Sequence, residues 1–297
     1  KCKRMKLSII DIGTSSIKHS IFEKSSAGKQ LVHYQRYSDA NLGESNPISD
    51  ETVDRCVAIL RQCLALNDSE GVAGLRLLGT EILRSAANAA EVAVKLREAC
   101  CQEIEIISQD KEALYLYEGF IGIVEPGSEF AVINIGGGST ELVIGGNRLT
   151  GFVKIPFGVK RIMKLFGNHD DIDWTALDEY LETEVSFDYA SPRLFTTGVF
   201  PFMQAIRSAV PFETENSTIS EHPFSLSLAE YRAWIERMRS TPVAELKRVY
   251  SNDPSYCDGV TIGQSVYYAC ARKLGVQCII PSARDLTDGV VYEMSQT

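Results

Sequence analysis

The stretch Ile10-Asp11-Ile12-Gly13-Thr14-Ser15-Ser16 has a counterpart 123 residues later, Ile133-Asn134-Ile135-Gly136-Gly137-Gly138-Ser139, with the same isoleucines, first glycine and final serine. Each copy is a short apolar strand that ends in a glycine turn, and a second strand pattern follows each turn. One short match can arise by chance, but a match within the same strand–turn–strand arrangement is much harder to dismiss. The repeat therefore predicts two related α/β domains, at residues 1–120 and 121–297. We expect the two turns to face each other across a cleft, and the terminal helix could pack back on the first domain.

Strand and helix patterns alternate on both sides of the repeated turns. The apolar spacing predicts strands at residues 7–11, 17–22, 31–37, 74–79, 104–107, 130–135, 141–144, 149–157 and 278–280. It predicts helices at residues 49–66, 86–101, 112–120, 158–166, 174–184, 227–239, 262–274 and 285–294. Residues 211–223 and 252–259 are predicted to be loops. This mixture of strands and helices indicates an α/β protein.

The composition is that of an ordinary globular chain. Apolar residues make up 44% of the 297 residues and charged residues 23%, which excludes a disordered or fibrous protein. No apolar run of about 18 residues predicts a transmembrane helix, and the basic residues 1–6 are not followed by the apolar region of a signal peptide. The eight cysteines form no C-x-x-C pair. They favour free thiols, and free thiols suggest a reducing cytoplasm.

The net charge of −9 bears on the class of ligand. An acidic chain binds nucleic acid and anionic membranes poorly, so we expect neither as a partner. An anionic ligand would need a locally basic surface. Lys160, Arg161 and Lys164 are candidates for such a polyanion track, although three basic residues on one helix also fit a solvated face.

The chemistry of the two turns points to phosphate. A tight turn of Gly, Ser and Thr exposes several backbone N–H groups, which together with hydroxyls form a concave anion site. Glycine lets the backbone approach the anion without a Cβ in the way. Asp11 precedes the first turn and Glu141 follows the second. Carboxylates near phosphate are reasonable when a hard cation such as Mg²⁺ lies between them.

Five stretches in order along the chain resemble the exopolyphosphatase / guanosine pentaphosphate phosphohydrolase (Ppx/GppA) family, in its short form. They are residues 9–16 (IIDIGTSS), 79–84 (GTEILR), 104–108 (IEIIS), 136–142 (GGGSTEL) and 288–293 (DGVVYE). The block at 136–142 is the most specific. The resemblance implies the actin-like, ribonuclease H-like (ASKHA) fold with two duplicated domains. It also implies a phosphatase that uses a divalent cation such as Mg²⁺, and it leaves a homodimer open.

The resemblance also assigns roles to residues of this chain. Glu112 matches the catalytic base and Arg84 an arginine that contacts phosphate. Glu141 matches a carboxylate implicated in catalysis and in metal binding, with Asp11 and Asn134 as the other predicted metal ligands. The residues that match the two phosphate loops are Thr14, Ser15, Ser16, Gly136, Gly137, Gly138, Ser139 and Thr140. By spacing alone, Glu112 could simply favour a helix N-terminus, and Arg84 could form a surface ion pair.

The chain departs from the family pattern at five places. The family has Asp where this chain has Asn134, and it has a glutamate at Lys111. Its later Gly-Gly-Thr loop corresponds here to residues 197–199, and two family arginines correspond to Tyr256 and Thr287. We expect Asn134 to weaken a cation site, because an amide replaces a carboxylate there.

Three functions follow from the resemblance. The first is an exopolyphosphatase that removes the terminal phosphate of inorganic polyphosphate, with Glu112 activating water. The second is a guanosine pentaphosphate 5′-phosphohydrolase. The third is a binding protein or sensor for polyphosphate or guanosine tetra- and pentaphosphate in which catalysis is weakened, and Asn134, Tyr256 and Thr287 motivate it.

Overall fold

The computed structural model describes residues 4–25, 28–198, 224–251 and 253–296. The chain divides into two compact units. Unit 1 comprises Lys1–Glu112 and Val290–Thr297, and unit 2 comprises Ala113–Gly289. The loop expected at residues 211–223 lies outside the described residues.

Unit 1 is built on a five-stranded mixed sheet. Its strands are β1 (Met5–Ile12), β2 (Ile17–Ser25), β3 (Gly28–Tyr37), β4 (Gly74–Gly79) and β5 (Ile104–Ile106), in the order β3-β2-β1-β4-β5. The first three strands form an antiparallel meander, and β4 and β5 run parallel to β1. The carboxyl ends of β1, β4 and β5 therefore meet at one edge of the sheet, where ligands of open α/β sheets bind.

Four helices begin in unit 1 and join or cover its strands. They are α1 (Asp50–Glu70), α2 (Glu81–Ser85), α3 (Ala89–Cys100) and α4 (Gln109–Ile121), which continues into unit 2. Ser49 caps α1 by accepting the N–H of Thr52, as Ser and other short polar residues commonly do at this position. Cys56, Leu60 and Cys63 of the apolar stripe of α1 are fully buried against the sheet.

Unit 2 repeats the sheet of unit 1. Its strands are β6 (Phe130–Ile135), β7 (Thr140–Gly145), β8 (Leu149–Ile155), β9 (Arg193–Thr197), β10 (Leu226–Ser227) and β11 (Cys278–Ser282), in the order β10-β11-β9-β6-β7-β8. An antiparallel meander of β6, β7 and β8 is again followed by two strands parallel to the first. The shared topology confirms that the repeated sequence marks two copies of one sheet.

The helices of unit 2 pack around a large apolar core. They are α5 (Val159–Phe166), α6 (Trp174–Glu184), α7 (Leu228–Arg239), α8 (Val243–Val249), α9 (Cys257–Leu274) and α10 (Leu286–Gln296), whose end belongs to unit 1. Ser227 and Glu230 form the capping box expected from their spacing. The long helix α9 is buried along most of its length, so it forms the centre of this core.

The structure corrects the expected elements at a few places. Helix α2, strand β9 and helix α8 were not expected from the sequence, and α3 begins at Ala89 instead of residue 86. The loop expected at residues 252–259 is wrong at its end, because α9 begins at Cys257. A Cβ on Gly259 would lie 2.2 Å from Cγ1 of Val159. This glycine therefore allows α9 to approach α5 closely, and does not end a helix.

Candidate functional site

The first glycine turn lies at the carboxyl end of β1. The N–H of Gly13 donates to the carbonyl of Ser16 over 3.1 Å, which closes the turn. The carbonyl of Ile12 accepts both the N–H and the hydroxyl of Thr80 at 3.2 Å. Since Thr80 immediately precedes α2, this contact fixes the start of α2 beside the turn.

The second glycine turn has the same geometry at the end of β6. The N–H of Gly136 donates to the carbonyl of Ser139 over 2.9 Å. The carbonyls of Gly136 and Gly137 each accept an N–H from the first turn of α5 at 3.0 Å. A Cβ on Gly158 would lie 2.3 Å from the carbonyl oxygen of Gly136, so only glycine allows α5 to begin against this turn.

Both turns keep backbone N–H groups that the fold does not use. Within the described part of the chain, no residue accepts the N–H groups of residues 14–16 or of residues 137–139. Three successive N–H groups in a tight turn form a concave site for an anion. Each unit therefore has a backbone turn suited to an anion, and phosphate binding at these turns stays a prediction.

Arg84 and Glu112 form a partly buried ion pair in unit 1. Nη2 of Arg84 lies 2.9 Å from Oε2 of Glu112 and 3.2 Å from Oε2 of Glu81, and Nη1 donates to the carbonyl of Ile107 over 2.6 Å. Glu112 is only 7% exposed and lies in the first turn of α4. Ile107 follows β5, and its N–H donates to the carbonyl of Gly79 at the end of β4. The pair is therefore held at the carboxyl edge of the sheet.

Asp11 lies at the same edge of unit 1, on β1. It pairs across the sheet with Lys18 of β2, whose Nζ is 3.7 Å from Oδ2 of Asp11. Asp11 is buried. The lysine supplies a positive charge next to this carboxylate, and the spacing of a strand, a four-residue turn and a strand could have identified it from the sequence.

Asn134 and Glu141 occupy the equivalent cross-strand positions in unit 2. Nδ2 of Asn134 donates to Oε2 of Glu141 over 3.2 Å, and the hydroxyl of Ser139 donates to Oε1 of Glu141 over 2.6 Å. The hydroxyl of Thr197, at the end of β9, donates to Oδ1 of Asn134 over 2.9 Å. Both oxygens of a carboxylate that is 1% exposed are therefore engaged by neighbouring donors.

Two tyrosine hydroxyls hold the end of β9 beside this cluster. Tyr256 donates to the carbonyl of Gly198 over 2.5 Å, and Tyr267 donates to the carbonyl of Thr197 over 2.8 Å. Val199 lies outside the described residues. Tyr256, Thr197 and Asn134, three places where the chain departs from the family pattern, thus belong to one connected network.

Thr287 has a local role at the start of α10. Its N–H and its hydroxyl both donate to Oδ1 of Asp285, over 2.8 and 2.6 Å. The N–H of Asp285 donates to Oδ2 of Asp288 in return, over 3.2 Å. These bonds satisfy groups at the helix terminus that would otherwise lack partners.

Lys111, where the family has a glutamate, forms an ion pair with Glu293 of α10 within unit 1. Glu293 also lies 2.6 Å from Nη1 of Arg76 on β4, and Arg76 contacts Glu105 as well. The charge reversal at position 111 is thus matched by a carboxylate on α10. The lysine side chain engages this network, and its helix neighbour Glu112 engages Arg84.

The three residues of the predicted polyanion track lie on α5, which follows β8 and begins against the second turn. The backbone N–H of Lys160 donates to Gly137, and Nη1 of Arg161 donates to the carbonyl of Pro156 over 2.8 Å. The side chains of Arg161 and Lys164 are exposed. A basic helix start beside unused loop amides is suited to an anion, and the track stays a prediction.

The residues of unit 2 do not fit a divalent cation in the arrangement observed. Glu141 accepts a hydrogen bond on each oxygen, and Oδ1 of Asn134 already accepts a hydrogen bond from the hydroxyl of Thr197. Magnesium and calcium bind oxygen ligands, but Asn134 directs an N–H group at Glu141. The positive end of that group would repel a cation. In the ranges that the structure describes, no group of three or more His, Cys, Asp or Glu residues is placed to hold a metal. Magnesium at Asp11, Asn134 and Glu141 therefore stays a prediction.

A sequence model of the Ppx/GppA phosphatase family matches residues 29–297. In the described part of the chain, no helix combines the length and apolar character needed to cross a bilayer.

Solved structures of similar proteins share the whole fold. An exopolyphosphatase from Cytophaga hutchinsonii is 18% identical with a TM-score of 0.84, and the match covers 98% of each chain. A Ppx/GppA family member from Aquifex aeolicus is 20% identical with a TM-score of 0.81, over 99% of this chain and 98% of the other. Because these identities are low, the structures show only that the chain has the actin-like two-domain fold. Family membership rests on the sequence model, which matches most of the chain. The chain therefore belongs to the Ppx/GppA phosphatase family.

Proposed function

We propose that this protein is an exopolyphosphatase, which hydrolyses the terminal phosphoanhydride bond of inorganic polyphosphate. The observation that carries the proposal is the pair of Arg84 and Glu112, a nearly buried carboxylate held 2.9 Å from a guanidinium at the carboxyl edge of the unit 1 sheet. A carboxylate and an arginine so arranged suit a water-activating base and a group that neutralises a transferred phosphoryl group.

Glu112 is the proposed general base. Its carboxylate would orient a water molecule towards the terminal phosphorus and accept its proton as the P–O bond forms. Arg84 would exchange part of its contact with Glu112 for an oxygen of the terminal phosphate. Its other nitrogen, bonded to the carbonyl of Ile107, keeps the guanidinium in place during this exchange. In phosphoryl transfer, positioning and charge stabilisation account for most of the catalysis.

The two glycine turns are the proposed phosphate sites. Their unused N–H groups would bind non-bridging oxygens of the polyphosphate chain. In unit 2, the start of α5 adds its positive dipole and the side chains of Lys160 and Arg161. The acidic net charge of the chain makes such local donors necessary.

One observation favours a second candidate function, a polyphosphate sensor with weakened catalysis. Asn134 binds Glu141 directly, so this carboxylate lacks the acidic neighbour of its relatives. If Glu141 acts only as an acceptor for Asn134 and Ser139, the loop would still bind phosphate while turnover falls. Guanosine pentaphosphate is the alternative substrate that the family resemblance provides. We retain a cytoplasmic location in the proposal, because the seven cysteines that the structure describes are free thiols.

The decisive experiment measures phosphate release from long-chain polyphosphate and from guanosine pentaphosphate, each with and without Mg²⁺. We expect the wild type to release phosphate from polyphosphate and Glu112→Gln to lose this activity. Glu91→Gln is the control, because it changes an exposed glutamate in the first turn of α3, and it should leave the release intact. Release from the nucleotide alone would contradict polyphosphate as the substrate. Binding of polyphosphate without release would establish the sensor instead.

A further inference from the structure

Ser139 and Glu141 form a hydroxyl–carboxylate pair that the proposed hydrolysis does not use. The hydroxyl of Ser139 donates to Oε1 of Glu141 over 2.6 Å, a length typical of a strong bond to an ionised acceptor. Glu141 is buried and Ser139 is half-buried in the second glycine turn. A reachable hydroxyl on a buried carboxylate is the usual arrangement of an activated nucleophile with its base.

Glu141 is itself held by a third residue. Nδ2 of Asn134 donates to Oε2 of Glu141, and Thr197 fixes the other end of the Asn134 amide. The amide therefore orients the carboxylate so that Oε1 faces Ser139. A nucleophile, a base and a residue that orients the base are the three parts of a nucleophilic site. Asn134 acts here as a positioning residue.

The first glycine turn contains the serine without the base. Ser16 is equivalent to Ser139 in the repeat, and Lys18 is equivalent to Glu141. A lysine next to a serine can bind an anion, but when protonated it cannot accept the hydroxyl proton. The two halves of the protein thus provide an internal comparison between a serine with a carboxylate and a serine with a cation.

We propose that Ser139 is a phosphoryl acceptor, and that the protein phosphorylates itself there from a phosphoanhydride donor such as polyphosphate. Oγ of Ser139 bonds to the terminal phosphorus while the bond from that phosphorus to the bridging oxygen breaks. The electron pair stays with the departing polyphosphate, which is one phosphate shorter, and the hydroxyl proton passes to Oε1 of Glu141. Protein kinases use a carboxylate in the same way, to accept the proton of the hydroxyl that attacks phosphorus.

The neighbourhood of Ser139 suits the product as well as the reaction. A phosphoserine brings nearly two negative charges and three acceptor oxygens. The unused N–H groups of Gly137 and Gly138 lie in the same turn, and Lys160 follows at the start of α5. These donors would stabilise the phosphate group on the residue where it forms. The inference rests on the proposed function only for the phosphoryl donor, polyphosphate.

The test incubates the full chain with long-chain polyphosphate and follows two readouts in one reaction. Intact mass and peptide mapping report covalent phosphate, and a colorimetric assay reports released phosphate. We expect acid-stable phosphate on Ser139 and none on Ser16. Ser139→Ala should abolish the label, Ser139→Thr should carry it on the new hydroxyl, and Glu141→Gln should slow its appearance by roughly 10²-fold or more.

Four outcomes separate this inference from the proposed hydrolysis. Phosphate release without any label on the wild-type chain overturns the inference and leaves the hydrolysis intact. Label without release supports the inference and contradicts the hydrolysis. Label that persists in a folded Ser139→Ala variant overturns the inference, as does acid-labile label, which would place the phosphoryl group on a carboxylate. Circular dichroism and the Ser139→Thr variant distinguish loss of the acceptor hydroxyl from loss of label through misfolding.

Discussion

Asn134 of β6 donates its side-chain N–H to Oε2 of Glu141, its cross-strand partner on β7, over 3.2 Å. At the equivalent positions of unit 1, Asp11 faces Lys18. In each half of the protein, this cross-strand pair thus joins one carboxylate to one side chain that carries N–H groups. Neither pair presents the two adjacent carboxylates that attract a divalent cation.

Asn134→Asp should therefore create a cation site where the wild type has a hydrogen bond. Two facing carboxylates repel each other, so we expect a lower Tm without metal and a recovery of Tm when Mg²⁺ is added. Mg²⁺ should bind the variant roughly tenfold more tightly than the wild type, because a second charged oxygen ligand is present. Calorimetric titration and thermal unfolding with and without MgCl₂ measure both effects.

The matched control is Asn147→Asp, at an exposed amide in the turn between β7 and β8 of unit 2, which should change neither Tm nor Mg²⁺ binding. A wild type that is already saturated at micromolar Mg²⁺, and a variant that binds Mg²⁺ no better, would show that Asn134 belongs to a working metal site.

Glu112→Gln tests the base. The amide keeps the shape of the side chain and can still contact Arg84, but it cannot accept a proton from water. We expect polyphosphate binding to persist and kcat to fall roughly 10²–10⁴-fold. Steady-state kinetics with a separate binding titration distinguish these quantities, and near-full activity would remove Glu112 from the mechanism.

Arg84→Ala should destabilise the protein more when Glu112 is present than when it is absent. Removing the guanidinium leaves a nearly buried carboxylate without its charge partner, at a cost of about 3 kcal/mol. In Arg84→Ala/Glu112→Gln that carboxylate is gone, so part of the free energy of unfolding should return. Urea unfolding of the two single variants and the double variant gives the coupling energy. Strict additivity would mean that the ion pair is energetically unimportant.

Polyphosphate binding should weaken steeply with salt, and the slope should depend on α5. Charge contacts to a polyanion release counterions, so fewer contacts give a shallower dependence. Reversing Lys160 and Arg161 to Glu should flatten the plot of log Kd against log salt. Reversing Arg232 and Lys273, two exposed cations of unit 2, is the control and should leave it unchanged. An unaltered slope in the first variant would place the basic track elsewhere.

His19 should make the protein less stable in mild acid. Burial lowers the pKa of His19 from 6.5 to about 4, and neighbouring His33 adds to this effect, although the hydrogen bond to Asn67 opposes it. Between pH 4 and 6.5, His19 binds a proton in the unfolded chain but stays neutral in the folded one. The free energy of unfolding therefore falls as the pH falls from about 6.5 to 4. The full loss is about 3 kcal/mol at 1.36 kcal/mol per pKa unit.

The measurement is urea unfolding across this pH range for the wild type and for His19→Gln, whose side chain cannot take up a proton. The variant should lose most of the slope. Equal slopes in both proteins would show that His19 is not the group responsible.

The strands and turns were predictable because their signals are local. Each meander follows from an apolar run, a glycine turn and a second apolar run, and the observed register places Asp11 and Asn134 at equivalent positions. Strand β9 (Arg193–Thr197) was missed because only Leu194 and Phe195 among its residues are apolar, so it shows neither an apolar run nor an alternating pattern. Gly259 misled the prediction for the opposite reason, since a packing requirement of α9 looked like a loop signal.

The roles of the site residues were less predictable, because their partners come from distant segments. Nothing near Thr197 in the sequence indicates that its hydroxyl binds the amide of Asn134, 63 residues earlier. The same holds for Glu112, whose partner Arg84 lies on another helix. Family motifs selected these residues, and three-dimensional contacts decide what each side chain does. That the two glycine turns act on one substrate stays a prediction.

The network that joins Tyr256, Gly198, Thr197, Asn134 and Glu141 also has a consequence for how this sequence could have changed over time. Tyr256 donates to the carbonyl of Gly198, the adjacent Thr197 donates to Asn134, and Asn134 donates to Glu141. Reverting one of these side chains to the residue of its relatives therefore leaves a donor or an acceptor of its partner unmatched. Substitutions here should therefore be epistatic: a family-type aspartate or arginine introduced alone would be penalised, while the same residues introduced as a block would be tolerated. An ancestral form of this centre would thus be recovered only by introducing several substitutions together or in a suitable order.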